Sequence, residues 1–168
     1  PPGFLKGGVS LADYDRDGLL DIHVSNWLFE VNGGFTQFPG VNRLYRNLGG
    51  FQFEDVTVAC GLALQRDAFT AIFTDFNRDL WPDLYIAFDH SIDEMFFSNG
   101  QGSFVNVTQQ TGVAHTGNDM GVAAADYDDD GDLDLYITNI TDAQPACGFG
   151  TTQFNVFREA SRDRDGNV

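Results

Sequence analysis

Basic residues are scarce. Nine Lys and Arg stand against 25 Asp and Glu in 168 residues, a formal net charge of −16. Phosphate contacts need Lys and Arg, so this balance argues against nucleic acid and anionic membrane as partners and favours cations. No apolar run approaches the roughly 20 residues that cross a bilayer, so membrane insertion is not expected. No signal-peptide pattern is present, and the first residue is Pro1 rather than Met, which fits a mature or excised segment. Cysteine is limited to Cys60 and Cys147, without the C-x-x-C spacing of zinc or redox sites. Neither H-E-x-x-H nor G-x-S-x-G occurs, and His23, His90 and His115 are scattered. The chain is therefore expected not to be an enzyme. Long windows rich in Leu, Ala, Glu and Lys are also missing, which disfavours helices.

What is present suits short strands and tight turns. Hydrophobic residues make up 42% and aromatics 14%, with 16 Phe and 19 Gly. That is enough apolar material for a core and unlike a disordered chain.

The dominant pattern is a repeat. DYDRDGLLD (13–21) returns as DFNRDLWPD (75–83) and DYDDDGDLD (126–134). Each copy follows an apolar run (GVSLAD, TAIFTD, GVAAAD) and precedes another (DIHVS, DLYIA, DLYIT). LYRNLGGFQFEDVT (44–57) aligns without gaps to MFFSNGQGSFVNVT (95–108). Leu44 to Met95 and Asp75 to Asp126 are both 51 residues. The spacing changes only between the second and third runs, so 26–41 and 139–153 are read as insertions on one face.

One unit is thus four strands, expected near 8–12, 20–25, 42–47 and 52–56 in the first copy. The second is expected near 69–74, 83–88, 94–98 and 103–107, and the third near 120–125, 133–138 and 154–159. Four short strands at a period of about 50 are the signature of a β-propeller blade. The fold class is all-β, a partial propeller of antiparallel blades: blade one about 4–60, blade two about 61–111, and an incomplete blade three about 112–168. Since closed propellers have about 4–8 blades, further blades of the same chain or neighbouring subunits are expected to cover the open edges. SRDRDGNV (161–168) falls in register at a hairpin tip, so Asp163 and Asp165 are read as turn residues.

The acidic loops carry the chemistry. A hard cation such as Ca2+ takes six to eight oxygens, and carboxylates supply both ligands and charge. In D-x-D-x-D-G-x-x-D, side chains 1, 3, 5 and 9 and the carbonyl of position 7 can surround the ion, while Gly at position 6 permits the turn. The first set is Asp13, Asp15, Asp17, the Leu19 carbonyl and Asp21. The second is Asp75, Asn77, Asp79, the Trp81 carbonyl and Asp83. The third is Asp126, Asp128, Asp130, the Asp132 carbonyl and Asp134. The second is expected to be the weakest or most strained, because Leu80 replaces Gly and neutral Asn77 lowers the charge. EF-hands are excluded, since position 12 is Val24, Ile86 or Ile137 and the flanks read as strands.

These units resemble FG-GAP/VCBS repeats, the blades of integrin alpha-subunit propellers, and more closely the cartilage-acidic-protein-like family of secreted propellers. The carrying motifs are DYDRDGLLDIHVSN, NRLYRNLGGFQFEDVT, DFNRDLWPDLYIAF and GVAAADYDDDGDLDLYITN. The resemblance implies a Ca2+-stabilised propeller, secreted or on the cell surface, with structural Ca2+ in the loops joining the first two strands of a blade. It does not define a ligand. The preferred reading is an extracellular module for adhesion, matrix or surface-assembly contacts, with a protein or glycan ligand on the face bearing the insertions. A carbohydrate-binding or accessory propeller of a larger enzyme, and a subunit of an extracellular filament, stay open.

Other residues have local readings. Asn106-Val107-Thr108 and Asn139-Ile140-Thr141 are glycosylation sequons, which would suit a secreted glycoprotein. Cys60 lies between blades one and two and Cys147 in the third blade's insertion, connections expected at the same end of the blades. A Cys60–Cys147 disulfide is therefore allowed, worth roughly 4 kcal/mol if unstrained. His23 aligns with Tyr85 and Tyr136 and is read as a packing residue, while His90 is placed in a loop near Asp89 and Asp93. Trp27, Phe29, Phe35 and Phe38 either pack the first insertion down or form a binding surface.

Overall fold

The computed structural model describes residues 4–31, 34–39, 41–140 and 152–158. Twelve strands and one short helix occur among them: β1 Phe4–Ala12, β2 Asp21–Val31, β3 Gly34–Pro39, β4 Arg43–Asn47, β5 Phe53–Asp55, β6 Ala68–Thr74, β7 Asp83–Ile92, β8 Glu94–Ser98, β9 Phe104–Asn106, α1 Thr108–Thr111, β10 Thr116–Ala125, β11 Asp134–Ile140 and β12 Thr152–Arg158. The chain is all-β, in antiparallel sheets.

Blade one runs β1-β2-β4-β5, with β3 paired to the far half of β2. Blade two is β6-β7-β8-β9, and blade three contributes β10-β11-β12. A short ladder from Thr116–Asn118 to Asp89–Ile92 ties β10 to the end of β7.

The repeat register reappears as repeated hydrogen bonds. The Leu44 N–H donates to Thr57 Oγ1 and the Met95 N–H to Thr108 Oγ1, each at 3.0 Å. Thr57 in turn donates to Asp55 Oδ1, and Thr108 to Asn106 Oδ1. Side chains point alternately to the two faces of a strand, and β7 uses both. Leu84, Ile86 and Phe88 enter one core with Tyr14, Leu44, Leu62 and Phe104. Tyr85 and Ala87 enter a second core with Phe76, Met95, Val113, Leu135 and Ile137. All five β7 residues are wholly buried. Burial on both faces is why this strand reads as an unbroken apolar run. Truncating a side chain such as Ile86 to Ala would cost about 2–5 kcal/mol.

β1 and β10 each begin four residues earlier than expected, and three other strands differ in ways that bear on the sites. β2 continues to Val31 and folds back as β3, so part of the first insertion is a β-hairpin rather than a loop. β7 continues to Ile92, which places His90 in a strand. The fourth strand of blade one, β5, is only three residues long. The connection after it therefore starts near the acidic-loop end, and Cys60 lies beside Tyr14 and Gly102 there, with Sγ 3.5 Å from the Tyr14 hydroxyl and 3.1 Å from the Gly102 carbonyl. Cys60 thus lies near the acidic-loop end rather than at the end expected for it, and it is buried. Cys147 lies outside the described residues, as do most of the second insertion and the 161–168 turn.

Candidate functional site

All three acidic loops join the first two strands of a blade and lie at the same end of the sheets. Their backbones repeat closely. Positions 4 and 6 are left-handed in each: Arg16 and Gly18 (φ 59° and 90°), Arg78 and Leu80 (62° and 72°), Asp129 and Gly131 (59° and 90°). Leu80 takes this conformation with a Cβ, so the strain expected for the second loop is present. The left-handed position 4 had no glycine to announce it.

The side chains fold inward onto their own turn. Asp13 accepts the Asp17 and Gly18 N–H groups at 2.9 Å. Asp75 accepts those of Asp79 and Leu80 at 3.0 and 2.8 Å, and Asp126 accepts Gly131 at 2.9 Å. Position 5 then closes the turn onto position 7. Leu19, Trp81 and Asp132 donate their N–H groups to Asp17, Asp79 and Asp130. In the first loop, Asp13, Asp15 and Asp17 bring one oxygen each within 4.8 Å of one another. In the third, Asp126, Asp128 and Asp134 do the same.

The position-9 aspartates do more than sequence reasoning assigned them. Asp21, Asp83 and Asp134 are buried. Asp21 accepts N–H groups from Tyr14 (3.1 Å) and Asn47 (2.8 Å), so one carboxylate fastens the loop start to β4. Asp83 does likewise with Phe76 (3.0 Å) and Ser98 (2.8 Å). Asp134 takes Tyr127 at 3.1 Å. Burial pushes the Asp83 carboxyl up to about 7 despite the Ser98 and Phe76 N–H groups, and Asp79 adds to the rise. Asp21 is raised for the same first reason.

The donor set fits a hard cation. Asp15 Oδ1 is buried and has no hydrogen-bond donor, an oxygen with capacity left for a metal. Its other oxygen meets Arg46 Nε at 2.6 Å, and Arg46 Nη2 reaches Asp17 at 3.2 Å. Position 4 links each loop to the next. The Arg16 guanidinium lies 5.1 Å from the centre of the Trp81 ring, and Arg78 reaches the Gly131 carbonyl and Asp132 Oδ1. Tyr14, Asp15, Arg46, Trp81 and Gln101 line an open groove between blades one and two at this end.

Comparison with known proteins now has a geometry to meet. Residues 75–137, which span the second loop, all of blade two beyond it and the third loop, match the model of the FG-GAP-like repeat. The chain is also 28% identical over 161 residues to human cartilage acidic protein 1, an alignment covering 88% of this chain and 22% of that protein. The chain thus spans about a fifth of the length of the relative it matches.

The remaining residues of interest are placed as follows. His23 is wholly buried, edge-on to Phe73, as its packing role requires. Trp27 packs down: its Nε1–H donates to Asp89 at 2.7 Å and its ring meets Phe69 at 5.9 Å. The side chains of Phe29, Phe35, Phe38 and His90 lie outside the described residues. Asn106 is exposed, whereas Asn139 is buried with its amide donating to Asp119 at 2.8 Å. Among the described residues no helix is long and apolar enough to cross a membrane.

Proposed function

We propose that the chain is a non-enzymatic, extracellular Ca2+-binding propeller module that makes adhesion, matrix or surface-assembly contacts. The observations that carry the metal are the convergence of three carboxylates in each of the first and third loops and, in the first, the donor-free Asp15 Oδ1. Asp13, Asp15, Asp17 and Asp21 would hold one ion, Asp126, Asp128, Asp130 and Asp134 another, and Asp75, Asn77, Asp79 and Asp83 a weaker third. Its contribution is charge compensation: three Ca2+ would cancel six of the sixteen net negative charges. Extracellular modules typically work at 10⁻⁴–10⁻³ M Ca2+, which suits shallow loops of this kind.

The partners fit the same reading. Val9, Leu11 and Phe53 are 63%, 55% and 42% exposed on blade one. Their register equivalents in blade two, Ala71, Phe73 and Phe104, pack against blade one. Tyr127 is 56% exposed, while its equivalents Tyr14 and Phe76 are buried between blades. Both outer faces therefore match further blades, from the same chain or a neighbouring subunit. A protein or glycan ligand would meet the end bearing the β2–β3 hairpin.

Calorimetric titration with Ca2+ and thermal melting with and without chelator test the proposal. Binding with a rise in melting temperature is expected. A ligand present at 100 times its Kd adds about 2.7 kcal/mol, and absence of binding at millimolar Ca2+ would overturn the metal assignment. The groove bearing Trp81, Asp15 and Gln101 favours a second reading, a glycan-binding module, because an aromatic ring among polar groups suits a sugar. Glycan-array binding that is lost in Trp81→Ala would support it.

A further inference from the structure

A second cluster lies at the opposite end of the blades. Asp93 follows β7, and His115 and Asp119 stand just before and within β10, at the joint between blades two and three. One ligand atom from each falls within 4.8 Å of the others. Asp93 and Asp119 are both wholly buried, and the His115 side chain is 21% exposed.

Each carboxylate is held from behind. Asp93 accepts the Tyr85 hydroxyl at 2.7 Å and the Phe88 N–H at 2.8 Å. Asp119 accepts the Asn139 amide at 2.8 Å, and its other oxygen lies 2.8 Å from His115 Nδ1. The Asp93 N–H donates to the His115 carbonyl at 2.9 Å, tying the two segments together. Gly117 leaves the room: a Cβ there would fall 1.7 Å from Asn139 Nδ2 and 2.9 Å from His115 Cε1.

The blade itself does not require these charges. Asn42 occupies Asp93's register position in blade one, and its Oδ1 accepts the Asn26 N–H at 3.0 Å, as Asp93 accepts Phe88. Ala68 occupies Asp119's position in blade two. Neutral residues therefore build the same joint, and blade three's joint has two adjacent buried carboxylates in addition. Among the described residues no Lys or Arg forms an ion pair with either. Two buried carboxylates this close repel when both are ionised, and a bound cation would offset that repulsion.

We propose that Asp93, His115 and Asp119 form a divalent-metal site of the transition-metal type, distinct from the acidic loops. An imidazole with two carboxylates suits Mn2+ or Zn2+, whereas Ca2+ prefers an all-oxygen shell. Tyr85, Asn139 and the Phe88 N–H supply the outer hydrogen bonds that orient such ligands. Entry is past the partly exposed imidazole.

The test is a Mn2+ titration of the protein in saturating Ca2+, which keeps the loops filled, followed by proton NMR of the three histidines. One further equivalent should bind and broaden the His115 imidazole resonances before those of His23 and His90. His115→Gln and Asp119→Asn should each weaken Mn2+ binding at least about tenfold, and Zn2+ should compete. No binding beyond Ca2+, or broadening confined to other histidines, would overturn the proposal. The wild-type spectra decide even if a variant does not fold.

Discussion

His23 offers a measurement in which burial, hydrogen bonding and charge can be separated. It is wholly buried between blades one and two, and neither ring nitrogen has a hydrogen-bond partner. An unsatisfied buried polar group costs about 1–3 kcal/mol. His23→Leu, which nearly conserves volume, should therefore raise stability by about that much at pH 7. Acid adds a second effect. Burial lowers the imidazole from 6.5 to about 4, so the unfolded chain binds the proton more readily than the folded one. His23 favours folding fully only above 6.5, and that stability is lost as pH falls through 4. The linkage amounts to about 2 kcal/mol between pH 7 and pH 5. The raised carboxyls Asp21, Asp83 and Asp93 act in the opposite direction, gaining stability as pH falls. They are common to both chains, so the difference between variant and wild type isolates His23. Urea unfolding of both at pH 7 and pH 5, in saturating Ca2+, should show the Leu variant ahead at pH 7 and further ahead by about 2 kcal/mol at pH 5. A less stable variant at pH 7, or an equal difference at the two pH values, would show that the imidazole has a partner and that the reasoning is wrong.

The loops and the first insertion give four further expectations. Leu80→Gly relieves a left-handed leucine that is 72% exposed. It should stabilise the chain by about 0.5–1 kcal/mol after the entropy of glycine is deducted, and a loss in denaturant midpoint would count against the strain argument. Asp21→Ala removes the acceptor of the Tyr14 and Asn47 N–H groups. It should cost about 2 kcal/mol even in chelator, as well as weakening one Ca2+ site, whereas a variant that melts like wild type in chelator would reduce Asp21 to a metal ligand alone. Asp134→Ala should weaken the third loop's site by the same calorimetric measure. Trp27→Phe keeps the edge contact to Phe69 but removes the hydrogen bond to buried Asp89. A loss of about 2 kcal/mol by urea unfolding is expected, and no change would mean that the first insertion is held down by apolar contact only.

Blade architecture was legible because a repeat tests itself: LYRN and MFFS share a spacing only if the strands they form share a place. The structure returns that equivalence as the same threonine hydroxyl accepting the same backbone N–H in two blades. The acidic loops were legible for the same reason. What escaped has identifiable causes. The β2–β3 hairpin has no counterpart in blade two, so register was silent about it, and a short β5 put Cys60 at the other end from a full-length strand. Left-handed Arg16 and Arg78 were hidden because such backbone is normally signalled by Gly, Asn or Asp, and here the loop's closing hydrogen bonds impose it on arginine. The Asp93–His115–Asp119 cluster draws on two blades and shows no motif, yet it left a trace. Asn42 aligned with Asp93, and Ala68 with Asp119, are neutral residues standing where a buried charge later appears. Positions where repeats agree identify the scaffold. Positions where one copy alone takes on a buried charge need another explanation, because the scaffold is already built without it. In this chain that comparison leads away from the conspicuous acidic loops to the joint at their far end.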